Sequence, residues 1–272
     1  MANLKKLLIK ARRGIFSEKV GNNPSIFKGE GYDFVELRNY QIGDDIRKID
    51  WNITAKLHEP YVKLFQEERE LNIVVVPILT GSTYFGSQKM KIDLIAEIVA
   101  ILGYSTIKNM DNFSSFIFGG KGFISQKPSK KIFSIEKIVK DISDFDPVGK
   151  NFDPQFLLET LLKNVRRRSM IFVVSDFYTP IDFRYLSKHS EVVAIVVRDK
   201  FEENPPNFGY TTLVDGISGK RVEGDFSNLD EFKSRLGKFD EEQFSDMRRK
   251  GVKYAKIYTH QNPFKELRKL FK

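Results

Sequence analysis

The chain has 272 residues, 41% of them hydrophobic, with 24 Phe, three widely separated His, no Cys and a net charge of +9. The lack of Cys excludes disulfides, thiolate metal sites and a Cys nucleophile, and the His spacing offers no metal-binding pair. The length suits one large α/β domain or one domain with an appendage. The positive balance favours anionic partners without choosing among nucleic acid, an acidic protein and a membrane surface.

Leu4, Leu7, Leu8, Ala11 and Ile15 recur at helical spacing with Lys5, Lys6, Lys10, Arg12 and Arg13 among them, so a basic amphipathic helix opens the chain. Such a helix packs on its own protein or lies on a membrane. The start has no apolar stretch of signal-peptide length, and no run reaches the ~20 apolar residues that span a bilayer. A soluble, cytoplasmic protein is expected, with the first helix as the place where it could meet the inner membrane. Residues 17–32, rich in Gly, Asn, Pro and Ser, read as loop.

Residues 29–69 carry the densest text. Gly43, Asp44 and Asp45 form a turn signal. Arg38 and Arg47 can clamp Asp44, Asp45 or Asp50 through bidentate pairs, and Trp51, the only Trp, offers a large apolar anchor. The bland reading is a salt-bridged loop clamped on the next domain, and the functional one is a docking surface for a partner. Acid–base chemistry by Asp44, Asp45, Asp50 and His58 is weaker, because neighbouring carboxylates in a turn diverge.

Farther on, 61–65 alternates as a strand and 71–79 reads as a buried central strand with a turn at 80–83. A helix is predicted over 89–107, with Ile92, Ile95, Ala96, Val99 and Leu102 as its apolar stripe. Two short strands, 113–118 and 122–125, flank a Gly-Gly turn, and a helix covers 130–142. Asp153 is a plausible N-cap for a helix from Pro154 to about Val165. Strands at 170–175 and 191–197 bracket a short helix that follows Pro180 and contains Tyr185 and Leu186. A β-hairpin, 210–215 with 220–223, turns at Gly216 to Gly219. A long helix (229–250), a strand (253–258) and a terminal helix (263–271) complete the chain. This alternation predicts a doubly wound, mostly parallel α/β sheet over 70–272, with residues 1–69 as an N-terminal arm and the hairpin as an insertion. Ligands would sit at the carboxyl ends of the strands, in loops 78–87, 149–153 and 176–180. The basic runs Arg166-Arg167-Arg168 and Arg248-Arg249-Lys250 could meet phosphates, but helix ends favour cations without any ligand.

Several words together resemble the DUF58 family. They are Gly29-x-Gly31-x-Asp33-Phe34, Arg38-x-Tyr40-x-x-Gly43-Asp44-Asp45-x-Arg47-x-Ile49-Asp50-Trp51, Thr54-Ala55-Lys56, Val62-Lys63-x-Phe65-x-x-Glu68-Arg69, Phe85-Gly86-Ser87 and Ser175-Asp176-Phe177. The resemblance implies a bacterial protein with a von Willebrand factor A-like, Rossmann-type domain, often associated with MoxR-type AAA+ ATPases. Such domains carry a metal-ion-dependent adhesion site, in which D-x-S-x-S, a Thr and a further Asp hold Mg²⁺ and a partner carboxylate completes the shell. Here D-x-S-x-S falls on Ile78-Leu79-Thr80-Gly81-Ser82, the Thr counterpart is Asn151, and Asp176 is the one carboxylate left. One carboxylate and neutral oxygens are poor ligands for Mg²⁺, so neither metal nor other cofactor is expected, and the same loops are expected to form a metal-free docking face.

No P-loop, nucleophile elbow or His cluster is present. The expectation is therefore a non-enzymatic interaction module: a chaperone-like adaptor or substrate-presenting partner of a MoxR-type AAA+ ATPase, with a degenerate adhesion site. No small-molecule substrate is expected. Nucleic-acid or membrane-surface binding through the basic patches, and metal-bridged adhesion, are the alternatives.

Overall fold

The computed structural model describes residues 4–16, 36–44, 46, 49–64 and 70–270. The expected loop 17–32, the motif residues Gly29, Gly31, Asp33, Phe34, Phe65, Glu68 and Arg69, and the candidate residues Asp45 and Arg47 lie outside the described residues. The chain divides into two compact units, Lys28–Glu70 and the remainder. Helix α1 (Leu4–Phe16), which the sequence places in the arm 1–69, belongs to the larger unit.

The smaller unit holds β1 (Glu36–Asn39), α2 (Trp51–Leu57) and β2 (Tyr61–Leu64). β1 and β2 pair antiparallel, with Glu36 opposite Leu64 and Asn39 opposite Tyr61. Helix α2 starts where the Asp50 carboxylate accepts from the N–H groups of Asn52 (3.0 Å) and Ile53 (3.2 Å), a standard N-cap. It ends at His58, which takes a left-handed φ of 58°. This helix replaces the loop expected around Trp51.

The larger unit continues with β3 (Asn72–Pro77), α3 (Lys91–Lys108), β4 (Asn112–Gly119), β5 (Gly122–Ser129), α4 (Ile132–Ser143), α5 (Pro154–Asn164), β6 (Met170–Ser175), α6 (Leu186–His189), β7 (Glu191–Arg198), α7 (Lys200–Glu203), β8 (Tyr210–Val214), β9 (Arg221–Asp225), α8 (Asp230–Arg249), β10 (Lys253–Tyr258) and α9 (Pro263–Leu270). Six strands form one sheet in the order β10-β7-β6-β3-β4-β5. All neighbours are parallel except β4 and β5. This is the doubly wound order, with its switch point between β3 and β6. The expected α/β class is thus observed, and the order is consistent with the von Willebrand factor A, Rossmann-like type.

Successive strand residues face opposite layers, so each central strand is apolar on both sides. Ile73 and Val75 face a core shared with α1, α3, α4 and α9, whereas Val74, Val76 and Ile78 face α5, α6 and α8. Helix α3 is buried nearly all round rather than along one stripe, because α1 and α4 cover the side turned from the sheet. Leu7 and Ala11 of α1 are buried in this layer, which is the own-protein packing of the basic helix. Among the described residues no helix is long and apolar enough to cross a membrane. β5 runs to Ser129, beyond the expected 125; as an edge strand it tolerates Pro128. Helix α6 begins at Leu186, after Tyr185. Helix α7 was not foreseen; its Asp199 and Glu202 form a reciprocal capping box.

Two long-range contacts fix the unit's periphery. Lys10 of α1 (2.7 Å) and Lys89 both pair with Glu97 of α3. Burial alone would raise the Glu97 carboxyl, but the two ammonium groups outweigh it and hold it below its ordinary value of 4.5. In the second, the tip of the β8–β9 hairpin rests on the loop after β3. A Cβ on Gly81 would stand 1.9 Å from the Gly216 carbonyl oxygen, and Gly149 N–H donates to that same oxygen at 3.0 Å.

Glu97→Gln is expected to cost about 1–2 kcal/mol in urea unfolding at neutral pH, discounted because Lys10 is largely exposed. Since the folded carboxyl titrates below its unfolded value, the deficit relative to the parent chain should close as pH falls through the folded value. A constant deficit would assign the effect to packing instead. Gly81→Ala should cost about 2–3 kcal/mol, because backbone faces backbone and neither can yield cheaply. An unchanged thermal midpoint would show that the hairpin tip does not rest on Gly81.

Candidate functional site

The carboxyl ends of β3 and β6 flank the switch point, and the loops that leave them bring together most of the expected strand-end residues. A single 3₁₀ turn, Gly81–Thr83, follows β3 and turns two hydroxyls inward. Thr80 Oγ1 and Ser82 Oγ lie 2.8 Å apart, and Ser82 Oγ donates to Asp176 Oδ2 at 2.6 Å. Asp176 follows β6 directly and is 2% exposed. The next residue, Phe177, takes a left-handed φ of 52°, unusual for a bulky residue. Gln243 Nε2 holds its carbonyl at 3.1 Å, and Ser175 Oγ accepts from its N–H at 3.2 Å. This reversal lets Asp176 and Tyr178 border the same buried space.

That space contains an ammonium group. Lys91, the first residue of α3, is 0% exposed, and its Nζ lies 3.0 Å from Asp176 Oδ2 and 2.6 Å from Glu202 Oε1. The Tyr178 ring centroid is 5.0 Å from the Lys91 Nζ and 4.0 Å from the Arg198 guanidinium carbon, so one ring serves two cations. Arg198 is itself fully buried and donates to Asp240 Oδ1 at 2.6 Å. Asp240 also accepts from Lys256 (2.8 Å), which in turn pairs with Glu203 (2.7 Å). Asp199 caps α7 and accepts from the N–H and hydroxyl of Ser87 (both 2.9 Å) and from the Thr259 hydroxyl.

Burial pushes the Glu202 carboxyl above its ordinary range, against the pull of Lys91, and Asp176 adds to the rise. Burial likewise pushes the Tyr178 phenol up, so it stays neutral and acts as a ring face.

The other expected residues are placed differently. Ile78 is fully buried, in the core layer shared with α5 and α8. Asn151 is exposed, and its Oδ1 accepts from the N–H of Phe152 at 2.9 Å rather than joining Thr80, Ser82 and Asp176. The Gly216 turn rests on Gly81 and Gly149, so the chain itself covers part of these loops, while Tyr84 and Phe85 stay exposed. A Mg²⁺ ion does not fit this donor set. An aliphatic side chain stands at the first ligand position, the hydroxyls are engaged with each other and with Asp176, and the carboxylate oxygen already bonds an ammonium. Among the described residues no group of three or more His, Asp or Glu could hold a metal.

In the signature segment, Arg38 Nη2 donates to Asp44 Oδ1 at 2.7 Å, and the Gln41 N–H bonds Asp44 Oδ2 at 2.9 Å, so the expected clamp is formed by Arg38 and Asp44. Gly43 supplies the positive φ, 108°, that this turn needs. Tyr40 N–H bonds the Pro60 carbonyl at 2.7 Å and ties the turn to the start of β2. Asp50 caps α2 and His58 sits at the opposite end of that helix, so these two do not converge. Trp51, expected as a large apolar anchor, is the first residue of α2 and is 65% exposed. Ile42 and Ile46 are exposed as well.

Lys91, Glu202, Arg198 and Tyr178 were not foreseen from sequence. Two signals stood in the chain. A Lys in the first turn of an apolar helix opposes the helix dipole and calls for a local anion. The pair Arg198-Asp199 ends an otherwise apolar strand, where ligand-side residues of such sheets lie.

A family model described as "Protein of unknown function DUF58" matches residues 36–239. Uncharacterised proteins of Mycobacterium bovis and Mycobacterium tuberculosis are each 28% identical over 206 residues, 73% of this chain and 65% of theirs, so the chain spans less than two thirds of those relatives. Among solved structures, the conserved hypothetical protein BatB from Bacteroides thetaiotaomicron is 13% identical, with a TM-score of 0.48 over 74% of this chain and 96% of that one. An aerotolerance-related membrane protein from Bacteroides fragilis is 10% identical, with a TM-score of 0.46 over the same shares. The family match takes in both the Arg38–Trp51 signature and strand β6 with the Asp176 that follows it, and the chain belongs to the DUF58 family.

Proposed function

We propose that this protein is a non-enzymatic interaction module that serves a MoxR-type AAA+ ATPase as adaptor or substrate-presenting partner. The observation that carries the reading is the exposure of Trp51 within the family signature. A Trp left in water on a capped helix costs hydrophobic stabilisation and offers a partner a large, rigid contact. Ile42 and Ile46 present further apolar surface in the same unit, and the Arg38–Asp44 pair holds their turn in shape. The strand-end loops support the reading from the other side. Their carboxylates and hydroxyls are spent on internal pairs, which leaves neither a free nucleophile nor a general base among them. On this reading the signature segment, rather than the strand-end loops, is the docking surface, and the chemistry of the complex belongs to the ATPase.

The test is titration of the purified chain with a MoxR-type ATPase encoded in the same genome, in parallel with Trp51→Ala. The parent chain should bind, and the variant should lose at least about tenfold in affinity with its melting temperature nearly unchanged, as for a hot-spot residue exposed in the free protein. No binding by the parent chain would overturn the proposal. Equal binding by the variant would remove Trp51 from the interface.

A further inference from the structure

We infer that the Lys91 ammonium is the resident cation of the strand-end site. It stands where an adhesion site of this fold would hold a divalent ion, and it makes the site independent of metal. Three observations converge. Lys91 is fully buried and meets two carboxylates, Asp176 at 3.0 Å and Glu202 at 2.6 Å. The hydroxyl relay from Thr80 through Ser82 ends on Asp176 Oδ2, the same oxygen that bonds the ammonium. Lys91 and Asp176 are closed off from solvent, at 0% and 2% exposure, and beside Ser82 the Gly216 turn packs on Gly81 and bonds Gly149.

The chemistry explains why one cation can replace the other. An ammonium is a compact point charge with three donors, and it satisfies two carboxylates without the octahedral oxygen shell that Mg²⁺ requires. It supplies one charge against two. Arg198, bonded to Asp240 and sharing the Tyr178 ring with Lys91, stands beside it as a second buried cation. A Lys at the first position of α3 lies at the positive end of the helix dipole, an unfavourable place without those anions. A divalent ion entering beside it would face the ammonium at bonding range of the shared oxygen. Removing the ammonium should leave Asp176, Glu202 and the Ser82 hydroxyl as a vacant set of hard donors of the kind that divalent cations seek.

The experiment compares melting temperatures of the parent chain, Lys91→Ala and Lys91→Ala/Asp176→Asn with and without millimolar Mn²⁺. The parent should not respond. Lys91→Ala should melt lower and recover by about 5 °C in Mn²⁺, and the double variant should lose that recovery. Stabilisation of the parent by Mn²⁺ that Asp176→Asn abolishes would overturn the inference, as would a folded Lys91→Ala that ignores the metal. Should Lys91→Ala fail to fold, the parent chain still decides. A slowly exchanging Lys91 ammonium signal in ¹⁵N spectra, assigned with Lys91→Arg, should persist in Mg²⁺, and its loss on adding Mg²⁺ would refute the assignment.

Discussion

A buried ammonium is expensive, and the arrangement around Lys91 shows what it takes to keep one. Its two carboxylates come from different places: Asp176 leaves the end of β6, and Glu202 sits in the short helix after β7. Ser82, from the turn after β3, completes the set. One cation therefore ties together the ends of three adjacent strands at the point where the winding of the sheet reverses. The apolar layers on either side of the sheet would form without it, but the conformation of these strand-end loops would not.

The network does not stop there. The Tyr178 ring joins Lys91 to Arg198, Arg198 reaches Asp240 on α8, and Asp240 shares Lys256 of β10 with Glu203 of α7. Lys256, Glu203 and Asp240 also line an open cleft of about 480 Å³ along α8. Buried polar chains of this kind rigidify where they are satisfied; here Arg198 Nε and Nη1 lack a hydrogen-bond partner and the guanidinium leans on the Tyr178 ring. The left-handed Phe177 fits the same logic, since a strained residue persists where its surroundings over-determine it. Asp176, Lys91 and Arg198 are thereby turned inward.

The smaller unit has another character. Its order comes from local devices: a short antiparallel pair, the Asp50 cap and the Arg38–Asp44 clamp. Those devices hold a turn and a helix while leaving Trp51, Ile42 and Ile46 in water. A signature segment that buries Val62 yet leaves Trp51, Ile42 and Ile46 facing solvent on a hydrogen-bonded scaffold offers apolar surface for contact.

The sequence by itself determined the α/β class, the family and the positions of most elements. Apolar runs such as 71–79 and 170–175 can only be strands covered on both faces, and Asp153 ahead of Pro154 marks a helix start whatever surrounds it. Burial and capping are local properties, written in composition and spacing. Only the tertiary structure decided the site. Lys91, Asp176 and Glu202 are separated by 85 and 111 positions, and no periodicity links them. Their meeting depends on β3, β6 and β7 lying side by side. The same holds for the covering of the strand ends by Gly216, which brings two glycines into backbone contact across the chain. The outward turn of Trp51 is a smaller case. Composition marks a lone Trp as an anchor, but only the capped helix that starts at it settles which way the side chain faces.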